Sequence, residues 1–502
     1  MLRRPRQDRD RCLPARRSAA IAVAAIALIA AASGCGGDDS PPAKPRIVTI
    51  VQDDAELLHR SPRRIAATFD DLRAIGTDWV RVTAGWSVIA PAPHAARRPK
   101  FDAADPDAYP RRAWSSLDRV YEMARRRGMR TAIDIAFWAP RWAVARPTGR
   151  PERKRERDTI SVEAYTDFAQ AVARRYPQAA AFTIWNEPNH NAFFLPQWER
   201  TSDGWQPASP HLYRAMVQSA VPAIKAAAPN AIVLIGATAS VGSDRGDGPA
   251  DRIAPLTFLR EMACVDERLR PLARRECRSF EPLAGDGWSH HPYSLQLAPW
   301  QRDPRPDNVR IADLDRLTSL LARLHARRRT AQRLPLYLTE SGYQTSPPDP
   351  TQTVGLAEQA RWLPEAEQIA RRQPSLRSVA QFLVRDLPER RGTSVRERWG
   401  DYQSGLRFAD GRPKPAHASF SLALVARRIS ATRVRFWGLV RPGSGTRPAR
   451  ISVLEAEGQW REIARPRTLA DGTFEVAVAV APERTFRLES NGRHGAPVDG
   501  AR

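Results

Sequence analysis

Cysteine is scarce in this chain, and the sequence features of several large protein classes are missing. Four cysteines occur in 502 residues, and no further Cys or His pair stands at metal-ligand spacing, so we predict no metal. No glycine-rich phosphate turn follows the first predicted strand, which argues against a dinucleotide-binding open sheet. The chain also has no internal repeat and no long low-complexity segment. These absences leave an ordinary globular protein, for which we predict no cofactor.

The charge is strongly unbalanced toward basic residues. Lysine and arginine total 79 against 55 aspartates and glutamates, which gives a formal charge of +24. Such a balance is typical of proteins that bind nucleic acid or another anionic surface. However, the arginines are scattered in pairs and triplets, and no basic tract is interleaved with regularly spaced aromatics, as a single-strand binding groove requires. We therefore interpret the excess as a compositional bias on solvated faces and predict no nucleic-acid partner.

Residues 1–35 have the pattern of an export signal. Basic residues precede an apolar run, Ala19 to Ala32, that is too short to cross a bilayer as a typical helix. The next residues, Ser33-Gly34-Cys35-Gly36, resemble a bacterial lipobox, in which the cysteine is lipidated and becomes the new first residue. Ordinary secretion with cleavage near Ala32 is the alternative. We predict a flexible tether over residues 36–45 and an exported protein, either a cell-membrane lipoprotein facing outward or a secreted one.

Two cysteines remain once Cys12 falls in the removed segment and Cys35 is assigned to the lipid. Cys264 and Cys277 form an even pair in an oxidising compartment, and we predict a disulfide between them. It would close a loop of about 14 residues, nominally worth about 3 kcal/mol. A metal site at these two cysteines is the alternative.

From residue 46 onward, short β-prone runs alternate with amphipathic helical stretches, as in βα units around a parallel sheet. The eight predicted strands are Arg46–Val51, Trp79–Val82, Arg130–Ile135, Ala181–Glu187, Ile232–Ala237, Gly287–His291, Leu336–Glu340 and Ala380–Val384. The predicted helices include Ser161–Arg175, Pro210–Ala228, Leu314–Arg329 and Leu356–Arg372. Eight such units predict a (β/α)8 TIM barrel over residues 46–427.

Beyond residue 427 the pattern changes to short strands separated by turns. The predicted strands are Val434–Leu439, Arg450–Glu455, Thr473–Val480 and Thr485–Leu488. They predict a small antiparallel, β-sandwich-like domain over residues 428–490. We interpret this domain as a structural appendage of the barrel. A carbohydrate-binding module is the alternative, with Trp437 and Trp460 as its only tryptophans. Residues 491–502 are predicted to be a disordered tail.

Two of the predicted barrel strands run into a glutamate. Phe182-Thr183-Ile184-Trp185-Asn186-Glu187-Pro188 is a β-prone run that ends on Asn-Glu, and Leu336-Tyr337-Leu338-Thr339-Glu340-Ser341-Gly342 repeats this order. Because the carboxyl ends of barrel strands converge, we expect Glu187 and Glu340 to face each other across the barrel mouth. A glycosidase needs such a pair, since one carboxyl protonates the leaving oxygen and the other attacks the sugar carbon or directs water to it. Surface salt bridges are the alternative.

The residues around the two glutamates carry a family resemblance. Trp185-Asn186-Glu187-Pro188 and Thr339-Glu340-Ser341-Gly342-Tyr343 resemble the two motifs of clan A glycoside hydrolases, and the surrounding sequence is most similar to families 39 and 5 over roughly residues 46 to 420. The resemblance implies that Glu187 is the acid/base, Asn186 a ligand of the sugar 2-hydroxyl and Glu340 the nucleophile. The reaction then requires an ionised Glu340 and a protonated Glu187. Close placement predicts this, because the charge on one raises the pKa of the other.

Three further positions match places where clan members often carry functional residues. Arg81, on the second strand, is expected beneath the nucleophile, and His291 and Tyr293, after the sixth strand, are expected near it. Tyr293 could donate a hydrogen bond to Glu340 and so fix its rotamer. The alternatives are a solvated or ion-paired Arg81 and an aromatic wall at Tyr293. His290 and His291 could instead be metal ligands, although no acidic or histidine partner stands at ligand spacing.

Tryptophan is abundant, with 14 residues in the chain. Trp86, Trp138, Trp142 and Trp185 fall at or just past predicted strand ends, where flat apolar faces suit the C–H faces of sugars. We predict that Trp86 and Trp138 contact the substrate in a cleft with several sugar subsites; core or rim packing is the alternative for each. The eighth strand departs from the clan pattern, because Phe382 stands where a tryptophan is often found beneath the reacting sugar.

The sequence therefore predicts an exported, monomeric glycoside hydrolase that cleaves an extracellular, β-linked oligo- or polysaccharide with net retention. One rival is a catalytically silent carbohydrate-binding surface lipoprotein on the same barrel. Another is a transglycosylase, which passes the glycosyl-enzyme to a second sugar. The sequence does not identify the sugar, the linkage, or endo or exo action.

Overall fold

The computed structural model describes residues 46–146, 156–443 and 445–502, and eight parallel strands in these ranges close into a barrel. These strands are β1 (Val48–Gln52), β2 (Trp79–Gly85), β3 (Arg130–Ala136), β4 (Ala181–Ile184), β7 (Ile232–Ala239), β8 (Gly287–His291), β9 (Leu336–Leu338) and β10 (Leu376–Phe382); β5 (Trp198–Thr201) and β6 (Gly204–Pro207) form a hairpin outside the barrel. Almost every strand residue is buried, because helices cover the outside and side chains fill the inside. The predicted (β/α)8 barrel is confirmed.

The barrel closes where its first and last strands pair. β1 is hydrogen-bonded to β2 on one side and to β10 on the other. The carboxylate of Asp53, directly after β1, accepts bonds from the backbone N–H groups of Val384 at 3.2 Å and Arg385 at 3.1 Å, beyond the end of β10. Asp53 therefore ties together the two segments that lead from these strands to the barrel mouth.

Helices surround the barrel. They are α1 (Asp54–Leu58), α2 (Pro62–Ala74), α3 (Trp86–Ile89), α4 (Arg111–Arg126), α5 (Val162–Arg175), α6 (Ser209–Ala227), α7 (Pro255–Met262), α8 (Leu314–Ala326), α9 (Leu356–Ala370), α10 (Val395–Arg398) and α11 (Pro415–Ser421), with 3-10 turns at Pro106–Ala108, Arg141–Ala143, Arg275–Cys277 and Ile311–Asp313. The four predicted helices correspond to α5, α6, α8 and α9. No helix in the described ranges is long and apolar enough to cross a membrane.

Two antiparallel sheets follow the barrel. One contains β11 (Leu422–Ser430), β12 (Arg433–Val440) and β15 (Thr473–Ala479); the other contains β13 (Arg450–Leu454), β14 (Trp460–Ala464), β16 (Thr485–Ser490), β17 (Arg493–His494) and β18 (Val498–Asp499). Their inner faces share one apolar cluster, in which Phe436 of the first sheet packs edge-on against Phe486 of the second at 4.9 Å. This arrangement agrees with the predicted antiparallel, sandwich-like architecture.

Two details of this region differ from prediction. The predicted boundary at residue 427 falls inside β11, which begins directly after α11. The predicted disordered tail is wrong, because β17 and β18 both pair with β16.

Neither of the two tryptophans of this region resembles a free sugar platform: Trp437 is buried, and the guanidinium of Arg487 covers the ring of Trp460 at 4.2 Å. Treating this region as a separate domain remains a prediction.

A buried ion pair fixes the C-terminal sheets to the barrel. Arg441, directly after β12, is only 2 % exposed. Its guanidinium donates to both carboxylate oxygens of Glu367 on α9, at 2.7 Å each, and to the backbone oxygen of Phe420 at 2.8 Å. Paired buried charges with further hydrogen bonds are costly to separate, so this contact stabilises the junction between the two parts.

The predicted disulfide between Cys264 and Cys277 is present, with Cα atoms 5.6 Å apart. It closes the segment between α7 and β8. The predicted export signal over residues 1–35, the lipobox at Cys35 and the tether over residues 36–45 lie outside the described residues.

Candidate active site

The backbone around Glu187 is held in an uncommon conformation. β4 ends at Ile184, before the predicted end at Glu187, because Trp185 and Glu187 have positive φ angles of 58° and 41°. Left-handed conformations at such residues cost on the order of 1–3 kcal/mol and need support from their surroundings. That support comes from bonds of Trp185 N–H to Ile135 O at 3.1 Å and of Glu187 N–H to Ala237 O at 3.0 Å. The Glu187 side chain thereby reaches the barrel mouth.

Glu340 lies across the mouth, two residues beyond the end of β9. Its two carboxylate oxygens have different donors: Arg81 Nη1 donates to Oε1 at 2.6 Å, and the Tyr293 hydroxyl donates to Oε2 at 3.0 Å. Only 8 % of the residue is exposed. The Tyr293 bond was expected from the sequence. Both donors favour an ionised carboxylate in a fixed rotamer.

Arg81 is the centre of a buried network on the inner strands. Its guanidinium contacts Gln52 of β1, Asp134 of β3 at 3.0 Å and the Asn186 side-chain oxygen at 3.3 Å, besides Glu340. Arg81 is wholly buried. Burial lowers the pKa of Arg81, but the charges of Asp134 and Glu340 raise it by more than burial lowers it. The pKa of Arg81 therefore lies above its ordinary value. Burial raises the pKa of Asp134 to about 7, although the charge of Arg81 opposes this.

His291, at the end of β8, connects the two glutamates. Its Nδ1 lies 3.0 Å from Glu187 Oε1 and 3.8 Å from Glu340 Oε2, while its Nε2 lies 3.0 Å from Thr339 Oγ1. One oxygen of each glutamate and a ring nitrogen of His291 all lie within 4.8 Å of one another. The predicted convergence of Glu187, Glu340 and His291 is therefore what the structure contains.

The pKa of Glu187 differs from the expectation. Burial raises it, but the hydrogen bond and the charge of His291 lower it, and the charges of His190 and Arg252 lower it further. The net direction is downward from the ordinary value of 4.5. The prediction of a raised pKa in the free protein is therefore wrong, because it considered only the neighbouring carboxylate.

An active-site cavity of about 940 Å³ opens above the two glutamates. Asn186 and Tyr293 line it, and Phe382 lines it at the end of β10. The Phe382 ring packs edge-on against Tyr293 at 6.3 Å and against Tyr402 at 5.1 Å. Phe382, which stands where clan members often carry a tryptophan, thus contributes an aromatic wall to the cavity.

A second cavity of about 920 Å³ continues from the first, since Asp54, His59 and Phe137 line both. Trp138, predicted to contact substrate, lines this second cavity, and its indole N–H donates to the backbone oxygen of Ala192 at 3.2 Å. The two cavities together form one continuous cleft.

The other strand-end tryptophans do not line this cleft. Trp86 is wholly buried and stacks on Phe168 of α5 at 5.6 Å. Trp185 is wholly buried as well, and Trp142 packs edge-on against Trp86 at 6.0 Å. The prediction that Trp86 contacts substrate is wrong, because this residue begins α3 and its ring turns outward into the layer between barrel and helices.

Several residues of the site were not identified from the sequence. Gln52 and Asp134 complete the contacts of Arg81, and Tyr402 and Arg252 line the active-site cavity. A signal existed for Asp134: an acidic side chain within the apolar run Thr131 to Ala136 requires a buried partner. Tyr402 and Arg252 lie in long segments after β10 and β7, where the sequence gives no register.

The donor atoms near Glu187, His291 and Glu340 are of types that metals accept. The positive charge of Arg81 argues against a cation there, because its guanidinium already donates to Glu340 at 2.6 Å. A second group, of His211, Cys264 and Cys277, has its two sulfurs joined in the disulfide. Thiolate ligands are therefore not available at that place.

Comparison with known proteins agrees with this geometry. The family described as Cellulase (glycosyl hydrolase family 5) matches residues 54–311, just over half of the chain. No curated protein matches the sequence.

Among solved structures, a family 39 glycoside hydrolase from Bacteroides cellulosilyticus WH2 has 15 % identity and a TM-score of 0.50, over 87 % of this chain and 81 % of that one. A GH5_18 protein from Streptomyces cattleya in complex with GlcNAc has 17 % identity and a TM-score of 0.46, over 74 % of this chain and 78 % of that one. The first shows the same fold, and the family match covers the strand ends that carry Arg81, Glu187 and His291. The chain therefore belongs to glycosyl hydrolase family 5, within clan A, and is a glycosidase.

Proposed function

We propose that the protein is an exported, retaining glycosidase that cleaves a β-linked oligo- or polysaccharide, with Glu340 as nucleophile and Glu187 as acid/base. In the first step the Glu340 carboxylate attacks the sugar carbon while Glu187 gives a proton to the leaving oxygen. In the second step Glu187 takes a proton from water, which releases the sugar from the covalent intermediate.

The observation that carries this proposal is the separation of the two carboxyl groups. One oxygen of Glu187 lies within 4.8 Å of one oxygen of Glu340. Retaining glycosidases have their carboxyls about 5–5.5 Å apart, whereas inverting enzymes need about 6.5–9.5 Å to admit a water molecule. The short separation of these oxygens supports direct attack by a carboxylate.

The hydrogen-bond partners support the assignment of roles. Glu340 receives two donors, Arg81 and Tyr293, which stabilise an anion at rest and aim it into the cavity. Glu187 contacts His291 through one oxygen. A carboxyl with a single partner keeps an oxygen available for the leaving group, as a proton donor requires.

Glu187 needs a proton before it can act, although its pKa is lowered in the free protein. Nδ1 of His291, 3.0 Å away, can share a proton with the carboxyl. Substrate that fills the cavity excludes water, which strengthens the effect of burial and raises the pKa of Glu187. The protonated acid is thus favoured in the complex.

The stereochemistry of the first product tests the mechanism. We expect NMR of a reaction on an oligosaccharide panel to show the sugar released with the anomeric configuration of the substrate, and Glu340→Gln to release none. A product of inverted configuration would rule out a nucleophilic Glu340. A product joined to a second sugar would instead identify a transglycosylase.

The proposed location rests on the sequence alone. Cys35→Ala should release the protein from the membrane fraction, because the lipid would have no attachment point. Cys12→Ala is the matched control, since this cysteine lies in the segment that export removes. Unchanged membrane association of the Cys35 variant would refute the anchor.

A further inference from the structure

Arg252 has no partner in the described parts of the chain that would explain its place at the active site. It lines the cavity above Glu187 and also an adjoining groove of about 620 Å³. Among the described residues, no carboxylate lies within ion-pair distance of its guanidinium. A guanidinium presents five N–H donors in a fork that fits a carboxylate or a sulfate.

The carboxylates that line the groove are directed elsewhere. Asp251 accepts from the backbone N–H groups of Asp247 at 2.7 Å and Gly248 at 2.9 Å. Asp303 accepts from Arg310 at 2.6 Å and from Asn308 at 3.0 Å.

Three further arginines line the same groove as Arg252, and one of them, Arg310, is paired with Asp303. Arg245 makes no ion pair within the described residues, and the guanidinium of Arg305 reaches only the backbone oxygen of Gly242, at 3.3 Å. Asp247, the remaining acidic residue of the lining, is exposed and makes no ion pair with Arg252. The groove therefore presents more unpaired donors than acceptors.

The backbone that carries Arg252 is firmly anchored to the Glu187 segment. Asn189 is wholly buried, and its side-chain amide donates to Ile253 O at 2.9 Å and Ala239 O at 3.1 Å. In return, Ile253 N–H donates to Asn189 O at 3.1 Å. The residue after Arg252 is thus held in place by the loop that carries Glu187. Arg252 itself is exposed, so its backbone is fixed beside the Glu187 loop while its guanidinium is accessible to a ligand.

We infer that Arg252 recognises an anionic group, a carboxylate or a sulfate, on the leaving-group side of an acidic oligo- or polysaccharide. The inference rests on the proposed function, because Glu187 defines the leaving-group side. Arg245 and Arg305 continue the cationic lining away from Glu187, so the groove accommodates a chain with more than one negative charge.

The electrostatics connect this recognition to the acid. The positive charge of Arg252 contributes to the lowered pKa of Glu187. A substrate anion that pairs with Arg252 removes this contribution, so the pKa of Glu187 rises when the acidic substrate binds. A neutral substrate of the same linkage leaves Arg252 unpaired and the pKa of the acid low.

Binding to a glycan array tests the inference, with Glu340→Gln as the inactive background so that substrates persist. The array contains uronic-acid glycans with their carboxyl-reduced forms and sulfated glycans with their desulfated forms. We expect acidic members to bind, and Arg252→Ala to weaken that binding at least about tenfold, the loss expected for a charged hydrogen bond. Arg433→Ala is the matched control, since this exposed arginine on β12 lines neither the active-site cavity nor the groove.

Each result has a definite meaning. Loss confined to uronic-acid glycans identifies a carboxylate, and loss confined to sulfated ones identifies a sulfate. Acidic binding that Arg252→Ala and Arg433→Ala reduce equally reflects only the net charge of the protein and overturns the inference. Binding of neutral glycans alone also overturns it while the proposed glycosidase stands. If no glycan is bound or cleaved, both fail.

Discussion

The ends of β4 and β9 bring two chemically identical side chains to the barrel mouth and treat them differently. Glu187 and Glu340 are each 8 % exposed. Glu340 receives an arginine and a tyrosine, one on each oxygen. Glu187 receives a histidine on one oxygen. Equal burial with unequal donors means that the partners, and not solvent access, distinguish the two carboxyls.

The type of donor explains what each strand end can do. Arginine carries a fixed positive charge, so the partner of Glu340 is always a cation. A histidine ring nitrogen can act as donor or acceptor, so a proton can move between Nδ1 of His291 and Glu187 across their 3.0 Å contact. The partner of Glu340 has a fixed charge, whereas the partner of Glu187 can exchange a proton with it. These are the surroundings that a nucleophile and an acid/base require. The predictions below test this comparison.

Removing the fixed anion should have the largest effect. Glu340→Gln keeps the shape of the side chain but takes away the attacking oxygen, so we expect kcat to fall by at least about 10⁴-fold, as when other enzymes lose their nucleophile. Initial rates on the best substrate measure this, and thermal unfolding checks that the fold survives. A folded variant with full activity would end the assignment.

Removing the exchangeable carboxyl should have a smaller effect that depends on the substrate. Glu187→Ala deletes the proton donor, and we expect kcat to fall by about 10²- to 10⁴-fold for poor leaving groups. The loss should be much smaller for aryl glycosides with acidic leaving groups, because these need little proton assistance. The comparison requires one series of leaving groups on a single sugar. Equal losses across the series would count against Glu187 as the acid.

Changing the partner of Glu187 should move a pH limb. The hydrogen bond and charge of His291 lower the pKa of Glu187, so His291→Asn should raise it. Activity requires the protonated acid and falls as pH rises through this pKa. The falling limb of kcat/KM, which reports the free enzyme, should therefore shift to higher pH.

The adjacent His290 provides the matched control. It is buried as fully as His291, and its ring contacts Thr238 and the backbone oxygen of Val309 in place of a glutamate. Burial lowers the pKa of His290 to about 4, so its ring is uncharged at pH values above this pKa. His290→Asn should leave the limb unchanged. A limb that moves equally in both variants would show that the effect is not specific to Glu187.

The two strand ends also show what the sequence could and could not predict. The apolar runs located all eight barrel strands, and Gly287–His291 matched to the residue. The Asn-Glu-Pro and Thr-Glu-Ser-Gly motifs located both glutamates. The outer strands β11 and β14 and the ordered tail were missed, because they mix polar and apolar residues. Their strand character comes from hydrogen bonds to neighbouring strands, which the sequence alone does not show.

Side-chain direction is the part that the sequence did not contain. Barrel strands are buried on both faces, so a tryptophan at a strand end fits equally well toward the cleft or toward the helices. Trp138 lines the cleft, whereas Trp86 stacks on Phe168. The partners of Arg81 lie on or just past the ends of four different strands, β1, β3, β4 and β9, and pairings at such sequence separations have no local pattern.

Asp134 should give the smallest effect on catalysis. It contacts the same guanidinium as Glu340, at 3.0 Å against 2.6 Å, but burial raises its pKa to about 7. Near neutral pH the Asp134 carboxyl is therefore partly protonated, and the Arg81 guanidinium forms its ion pair mainly with Glu340. Asp134→Asn imitates the protonated form, so we expect kcat to change by only a few-fold, against about 10⁴-fold for Glu340→Gln.

The same substitution should alter the pH dependence of stability. Between the unfolded value of 3.8 and the folded value of about 7, the folded protein holds a proton on Asp134 that the unfolded chain has lost. The free energy of unfolding therefore falls as pH rises through this window, by at most about 1.4 kcal/mol per unit from this group. Asp134→Asn should remove that slope in urea unfolding at pH 4.5 and 6.5. If the slope persists and kcat collapses as in Glu340→Gln, Asp134 acts as a charged partner of Arg81, and the contrast between the two carboxylates disappears.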